Sequence, residues 1–234
     1  KMYGNLSSIS PLKKVIKLVK SKIFRKIKII YCPPFTLIEK LASKTAKTSI
    51  SVGAQDCHFM SGSGPYTGKI SSYQIKKLGA KYVIIGHSEN RALGETDQII
   101  NRKIKVVMKD KLIPIFCIGE TYSERRKKNT NLIIKKQLRN GLKNIKNLKN
   151  IIIAYEPVWS IGSGLIPSNN QIIEVLSLIR KYLKKKNVII LYGGSVNNKN
   201  IKDLKKVETL NGFLIGGSSQ KVNKFVDIVK KTIN

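Results

Sequence analysis

Acidic side chains are scarce in this chain: 13 Asp and Glu stand against 45 Lys and Arg, a formal charge of +32. An excess of that size raises nucleic acid and anionic membrane as partners, because clustered ammonium groups bind phosphate with release of counterions. Clustering is what the chain lacks. Lys13-Lys14, Lys127-Lys128, Lys184-Lys185-Lys186 and Lys230-Lys231 are spread from end to end, amid abundant Ile and Asn, as the composition bias of an AT-rich genome would produce. The charge reads as a diffuse solvated face, and nucleic acid is not the expected partner. Histidine is rarer still, with two residues and no H-E-x-x-H, which leaves too few ligands for a catalytic zinc set, and no metal is expected. The three cysteines, Cys32, Cys57 and Cys117, are odd in number and form no C-x-x-C. Neither a disulfide framework nor a zinc ribbon is therefore expected, and a reducing cytosol suits the chain. No signal peptide is recognisable, and no apolar run approaches the roughly 18 residues of a membrane span, so a soluble, cytoplasmic protein without membrane contact is expected. Linkers and low-complexity tracts are also absent, and residues 1–234 read as one domain. The first residue is Lys1 and not Met, so the natural N-terminus is expected upstream.

What is present is alternation. Short β-branched apolar runs at Lys28 to Tyr31, Ser49 to Ala54, Tyr82 to Gly86, Ile113 to Ile118, Ile151 to Tyr155, Val188 to Tyr192 and Gly212 to Ile215 read as strands. Amphipathic stretches at Pro11 to Lys22, Gln98 to Lys109, Leu132 to Leu142, Gln171 to Tyr182 and Lys199 to Lys205 read as helices between them. Strand alternating with helix means parallel strands joined by crossovers, which leaves a doubly wound sheet or a closed barrel. Seven strands are visible, and an eighth would have to end at or before Lys1. An α/β chain closed as a (β/α)8 barrel, its first strand largely upstream of Lys1, is the expected fold, and 234 residues with 41% hydrophobic content suit it.

Every unusual polar or glycine cluster follows a candidate strand: His87-Ser88-Glu89, Glu156, Gly193-Gly194-Ser195 and Gly216-Gly217-Ser218. In a parallel barrel these positions share the C-terminal rim, where active sites are built. Glycine pairs after the last two strands suit a phosphate pocket, since backbone N–H groups must approach the anion unhindered by Cβ atoms; they also suit ordinary tight turns. Glu156 precedes Pro157 and the run Val158 to Gly164, apolar first and glycine-rich at its far end. Alone, Glu before Pro is a solvated strand end; on the rim it becomes a candidate base beneath a lid whose closure would expel water. His87 is either a hydrogen-bonded structural residue or the group that polarises a carbonyl while Glu156 removes a proton. His58 sits in a polar loop and is assigned no role. The stretch Ser63 to Ile70 resembles a Walker A loop but lacks its first Gly and its final Ser/Thr, and is set aside.

Taken together, Lys1-Met2, Gly53-Ala54-Gln55-Asp56, Tyr66-Thr67-Gly68, Gly86-His87-Ser88-Glu89, Cys117-Ile118-Gly119-Glu120, Ala154 to Gly164, Tyr192 to Val196 and Gly216-Gly217 resemble the triosephosphate isomerase family over the whole chain. The resemblance implies a TIM barrel acting in glycolysis and gluconeogenesis, which interconverts D-glyceraldehyde 3-phosphate and dihydroxyacetone phosphate through a cis-enediolate, with no cofactor or metal. It implies Glu156 as base, His87 as neutral electrophile and Lys1 as the cation that stabilises the oxyanion and phosphate. Gly162, Ser195, Gly216 and Gly217 match the family's phosphate-gripping positions. Glu89 and Cys117 match positions that support the reacting residues, and Glu95 matches a buried structural carboxylate. A homodimer formed through the Tyr66-Thr67-Gly68 loop is implied as well.

The chain also departs from the family pattern. Tyr3 stands where most members have Asn, and Leu165 replaces a common Lys at the end of the lid, a change that bears on the hinge more than on the chemistry. Lys69 and Asn90 occupy two positions that form an intersubunit salt bridge in the family; both have changed, which avoids stranding one buried charge. The family's Asn ahead of the active-site Lys falls upstream of residue 1, so activity is expected of the full-length protein rather than of a chain starting at Lys1. Two readings from other classes stand beside the enzyme: a catalytically silent phosphate-binding barrel, and a Lys-rich nucleic-acid-associating protein.

Overall fold

In a computed structural model, residues 1–184 and 187–233 are described, apart from the side chain of Arg25; Lys185 and Lys186 of the charged run at 184–186 lie outside them. Seven strands form one parallel sheet in chain order: β1 (Ile30–Tyr31), β2 (Ser51–Ala54), β3 (Tyr82–Ile85), β4 (Ile113–Ile118), β5 (Ile152–Tyr155), β6 (Ile189–Tyr192) and β7 (Gly212–Phe213). The crossovers carry α1 (Lys13–Lys20), α2 (Ile38–Thr45), α3 (Ser72–Lys77), α4 (Ser88–Ala92), α5 (Asp97–Lys109), α6 (Tyr122–Arg126), α7 (Thr130–Gly141), α8 (Asn169–Leu183) and α9 (Ile201–Leu204), and α10 (Val222–Ile233) follows β7.

Alternation along the strands sorts side chains into two cores. Tyr82, Ile84, Ile115, Cys117, Ile152 and Ala154 share an inner core with Ile30 and Cys32 from the β1 side and Leu214 from beyond β7. Val83, Ile85, Phe116, Ile118, Ile153, Tyr155, Ile190 and Tyr192 point outward into a second core with the helices. Because residues from both sheet edges meet in the inner core, the sheet is curled as in a (β/α)8 barrel. The N-terminal segment lies between those edges. The Gln55 side-chain amide nitrogen Nε2 donates both to the Lys1 carbonyl (3.1 Å) and to the Cys32 carbonyl (2.8 Å), and a Cβ on Gly216 would lie 3.4 Å from Lys1 Cε.

The helices follow from caps and apolar spacing. In α8, Ser168 and Gln171 form a capping box, and Ile172, Val175, Leu176 and Ile179 recur on one face and are buried. Each such side chain contributes about 1.5–3 kcal/mol relative to an exposed one. Boundaries differ from the sequence expectation where polar ends intervene. The helix expected over Pro11 to Lys22 is α only over Lys13–Lys20, because Pro11 sits inside a preceding 3-10 segment, Leu6–Leu12. The segment expected as a helix from Lys199 to Lys205 is α over four residues, and the ladders of β1 and β7 shorten to two. Helices α2, α3, α4, α6 and α10 were not anticipated, although Ser71 with Gln74 and Thr121 with Glu124 are capping boxes legible in the sequence.

Candidate active site

Glu156 follows β5, and its backbone N–H donates to the Ile118 carbonyl (2.7 Å), which locks it to the end of β4. Two glycines let the chain come this close: a Cβ on Gly119 would lie 1.7 Å from the Glu156 carbonyl oxygen, and one on Gly193 would lie 2.8 Å from Glu156 Cγ. The carboxylate is 2% exposed. Its Oε2 accepts from the Ser88 N–H at 3.4 Å, whereas Oε1 is buried with no hydrogen-bond partner among the described residues. Burial pushes its pKa up to about 7, against the pull of the Cys117 thiol, the Ser88 N–H, Lys1 and Arg91.

His87 caps α4. Its Nδ1 accepts from the Glu89 N–H at 3.2 Å, so the ring proton belongs on Nε2, which lies 3.5 Å from the partnerless Oε1 of Glu156. Burial lowers the imidazole pKa to about 4; Glu89 opposes this and Lys1 reinforces it. At neutral pH the ring is an uncharged donor beside a carboxylate poised between its two protonation states. Lys1 Nζ forms an ion pair with Glu89 Oε1. Burial works against the Glu89 carboxylate, yet the Lys1 hydrogen bond, the protonated form of His87 and the Lys1 charge hold it below its ordinary range. Burial, followed by the adjacent Glu156 carboxylate, raises the Cys117 thiol well above its usual range and keeps it protonated.

Around this wall, the segment from Val158 to Gly164 hangs on a second buried carboxylate. Glu120, fully buried, receives Trp159 Nε1 (3.1 Å), the Tyr155 hydroxyl (3.2 Å) and Arg125 Nη1 (2.9 Å). Gly162 and Gly164 have φ of +71° and +79°, and residues 162–166 are exposed. Ser160 Oγ donates to the Leu165 carbonyl (2.6 Å), lies 3.2 Å from the Tyr192 hydroxyl and accepts from the Ser195 N–H (3.2 Å).

Lys1, Glu89, His87, Cys117, Glu156 and Gly216 are thus brought together. Gly162 and Gly217 are not joined to them: neither has a neighbour within 4 Å of where a Cβ would lie. The Ser195 N–H is taken up by Ser160 and is not free to meet an anion as it stands. Gly193 and Gly194, read from sequence as an anion cradle or a tight turn, also answer to packing, since a Cβ on Gly194 would lie 2.3 Å from the Tyr192 hydroxyl. Sequence reasoning missed Glu120 with Arg125, Tyr155 and Trp159, and missed Ser160. A carboxylate directly before a Thr-x-x-Glu capping box was the one available signal.

Residues 1–232 match the model of the family described as triosephosphate isomerase. The chain belongs to the triosephosphate isomerase family. It is 43% identical to the triosephosphate isomerase of Dictyoglomus thermophilum over 98% of this chain and 96% of that one. It is 37% identical to that of Clostridium tetani over 97% and 94% of the two chains. The crystal structure of triosephosphate isomerase from Bartonella henselae superposes with a TM-score of 0.90 at 32% identity, covering all of this chain and 96% of that one. Relatives of this family give no support to a silent barrel or a nucleic-acid-associating protein. Among the described residues, no group of three or more His, Cys, Asp or Glu could hold a metal ion, and no helix is long and apolar enough to cross a membrane.

Proposed function

We propose that Glu156, His87 and Lys1 carry out the isomerisation for which this family is named. The chain is a triose-phosphate isomerase, an intramolecular aldose–ketose isomerase that interconverts D-glyceraldehyde 3-phosphate and dihydroxyacetone phosphate. The observation that carries the assignment of roles is the wholly buried Glu156 Oε1, without a hydrogen bond, 3.5 Å from His87 Nε2. Glu156 takes a proton from the carbon beside the substrate carbonyl. The C–H electrons form the enediolate double bond, and charge moves onto the carbonyl oxygen. His87 donates its Nε2 proton to that oxygen and recovers one from its neighbour, and Glu156 returns its proton to the adjacent carbon. Triosephosphate isomerase is itself the standard example of this Glu and neutral-His pairing, so these roles follow the family. Lys1 balances the negative charge of oxyanion and phosphate. Gly162, Ser195, Gly216 and Gly217 close on the phosphate once the Ser160 contact of the Ser195 N–H is released, while Glu89 holds Lys1 and Cys117 backs Glu156.

The reading extends to assembly and setting. Residues 1–234 act as one barrel domain in the cytoplasm, in glycolysis and gluconeogenesis, which the free thiols of Cys32, Cys57 and Cys117 suit. A homodimer forms through the Tyr66-Thr67-Gly68 loop, which is exposed at residues 63–69 and borders a cavity of about 230 Å³. Lys69 and Asn90 meet there without an ion pair. The Lys excess is solvated and no nucleic acid is bound.

In a coupled assay, kcat/KM is expected to rise with pH through about 7 as Glu156 ionises. Glu156→Asp, which withdraws the carboxylate by one methylene, lowers kcat by at least about 100-fold while an enediolate mimic bearing phosphate still binds. Wild-type turnover in that variant would refute the assignment of the base.

A further inference from the structure

The last residues paired in register between β3 and β4 are Ile85 and Phe116. One step beyond them lie Gly86 and Cys117, and there a side chain takes over from the backbone ladder. Arg91 Nε donates to the Gly86 carbonyl at 2.8 Å, and Nη2 of the same guanidinium donates to the Cys117 carbonyl at 3.2 Å. The third nitrogen, Nη1, pairs with Asp97 Oδ1 at 2.7 Å, and Asn140 Nδ2 holds the other oxygen of that carboxylate at 3.3 Å. Arg91 is 18% exposed and Asp97 11%, so the assembly is mostly dry.

The two carbonyls belong to the residue immediately before His87 and to the residue whose thiol stands beside Glu156. Gly86 has φ of +73°, and a Cβ there would lie 3.3 Å from Arg91 Nη2 and 3.4 Å from the Cys117 carbonyl, so this junction leaves little room for another side chain. We propose that Arg91 is a positioning residue of the active site: a planar clasp across the ends of β3 and β4 that sets the His87–Glu156 separation and, with Lys1, supplies a positive charge that favours the ionised base. Guanidinium alone among side chains offers donors in a rigid fork that reaches two carbonyls and a carboxylate together; a Lys ammonium keeps the charge without the fork.

This inference rests on Glu156 and His87 being the reacting pair. Its test is the pH dependence of kcat and KM in Arg91→Gln and Arg91→Lys, read beside the wild type with thermal unfolding in parallel. Arg91→Gln is expected to lower kcat by about 10- to 100-fold with KM within about threefold, because geometry at the reacting atoms is lost while phosphate binding stays. Its acid limb of kcat/KM is expected to move to higher pH, because a cation that favours ionised Glu156 has gone. Arg91→Lys is expected to keep the acid limb close to its wild-type position yet recover only part of kcat. Lower thermal stability with kcat and acid limb both unchanged in Arg91→Gln would show a purely structural residue and overturn the clasp. Should Arg91→Gln fail to fold, full wild-type kcat in Arg91→Lys would overturn it equally. A wild-type protein without isomerase activity would instead overturn the reading of the reacting pair, and the clasp with it.

Discussion

Between β3 and β5, neighbouring strands match four residues in each ladder, and Glu156, Cys117 and Glu120 at their ends are buried. From β6 through β7, and again from β1 to β2, the ladders shorten to two residues, and Gly216 and Gly217 stand exposed. The first arc carries His87, Cys117 and Glu156; the second carries Ser195 and the glycine turn, with Lys1 lying where β1 and β7 approach. Proton transfer needs donor and acceptor held to within fractions of an ångström and a base whose affinity for protons is raised by dryness, and a stiff, buried wall supplies both. A phosphate grip must admit a dianion and release it, which suits short strands, exposed glycines and backbone amides that change partners. In the proposed grip, the Ser195 N–H would have to exchange its present acceptor, Ser160 Oγ at 3.2 Å, for the phosphate.

The contrast breaks most easily at Gly119. Its substitution by Ala sets a methyl group 1.7 Å from the Glu156 carbonyl oxygen, so β4 and β5 must part and the base must shift. Gly119→Ala is expected to lower kcat at least about 100-fold and to cost about 3 kcal/mol or more in urea unfolding, the upper part of the range for overpacked sites. Near-wild-type turnover would mean that the buried wall yields more readily than its packing implies.

A second test sharpens the cost of dryness. Glu156 has a folded pKa near 7 against an ordinary value of 4.5, so between those values the folded chain binds the proton more tightly than the unfolded chain. Stability therefore falls as pH rises from about 4.5 to about 7, by up to about 3 kcal/mol, and the loss persists above that window. Glu156→Gln is expected to be inactive yet more stable than wild type at pH 8 by up to that amount, and equal to it below about pH 4.5. His87 acts with the opposite sign: its pKa is depressed from 6.5 to about 4, so stability is lost as pH falls through that window. The two slopes offset each other between about pH 4.5 and 6.5 in the wild type, and the Gln variant uncovers the His87 slope. A flat profile for that variant would contradict both shifts.

The smallest expected effect lies on the open arc. Gly217 has no neighbour within 4 Å of a Cβ position and no positive φ. Gly217→Ala is expected to change unfolding free energy by less than about 0.5 kcal/mol and to raise KM several-fold with kcat retained. A large loss of kcat there would erase the division of labour between the arcs.

Much of this was legible beforehand. The strand at Ile113 to Ile118 was read to the residue, the parallel topology followed from alternation, and the Glu156 and His87 clusters were marked by their place after strands. What escaped were groups joined across long separations. Glu120 meets Tyr155 and Trp159 from 35 and 39 residues away, and Arg91 meets Cys117 from 26. No periodicity in one chain encodes such meetings, because they depend on which strand ends become neighbours. The glycines at 193 and 194 read from sequence as a phosphate cradle or as tight turns; that they also make room for the side chain of Glu156 and the Tyr192 hydroxyl depends on contacts between strands.

The sequence by itself determined that a carboxylate, an imidazole and two glycine turns would follow parallel strands and so face one rim, because side-chain periodicity dictates which residues can form strands and crossovers. Only the tertiary structure decided what that carboxylate is chemically. Burial strips water from Glu156 and raises its proton affinity, the cap on α4 assigns the His87 proton to Nε2, and the two are held 3.5 Å apart. Desolvation and distance are properties of packing between remote segments, and they exist only once the strands have closed around the site.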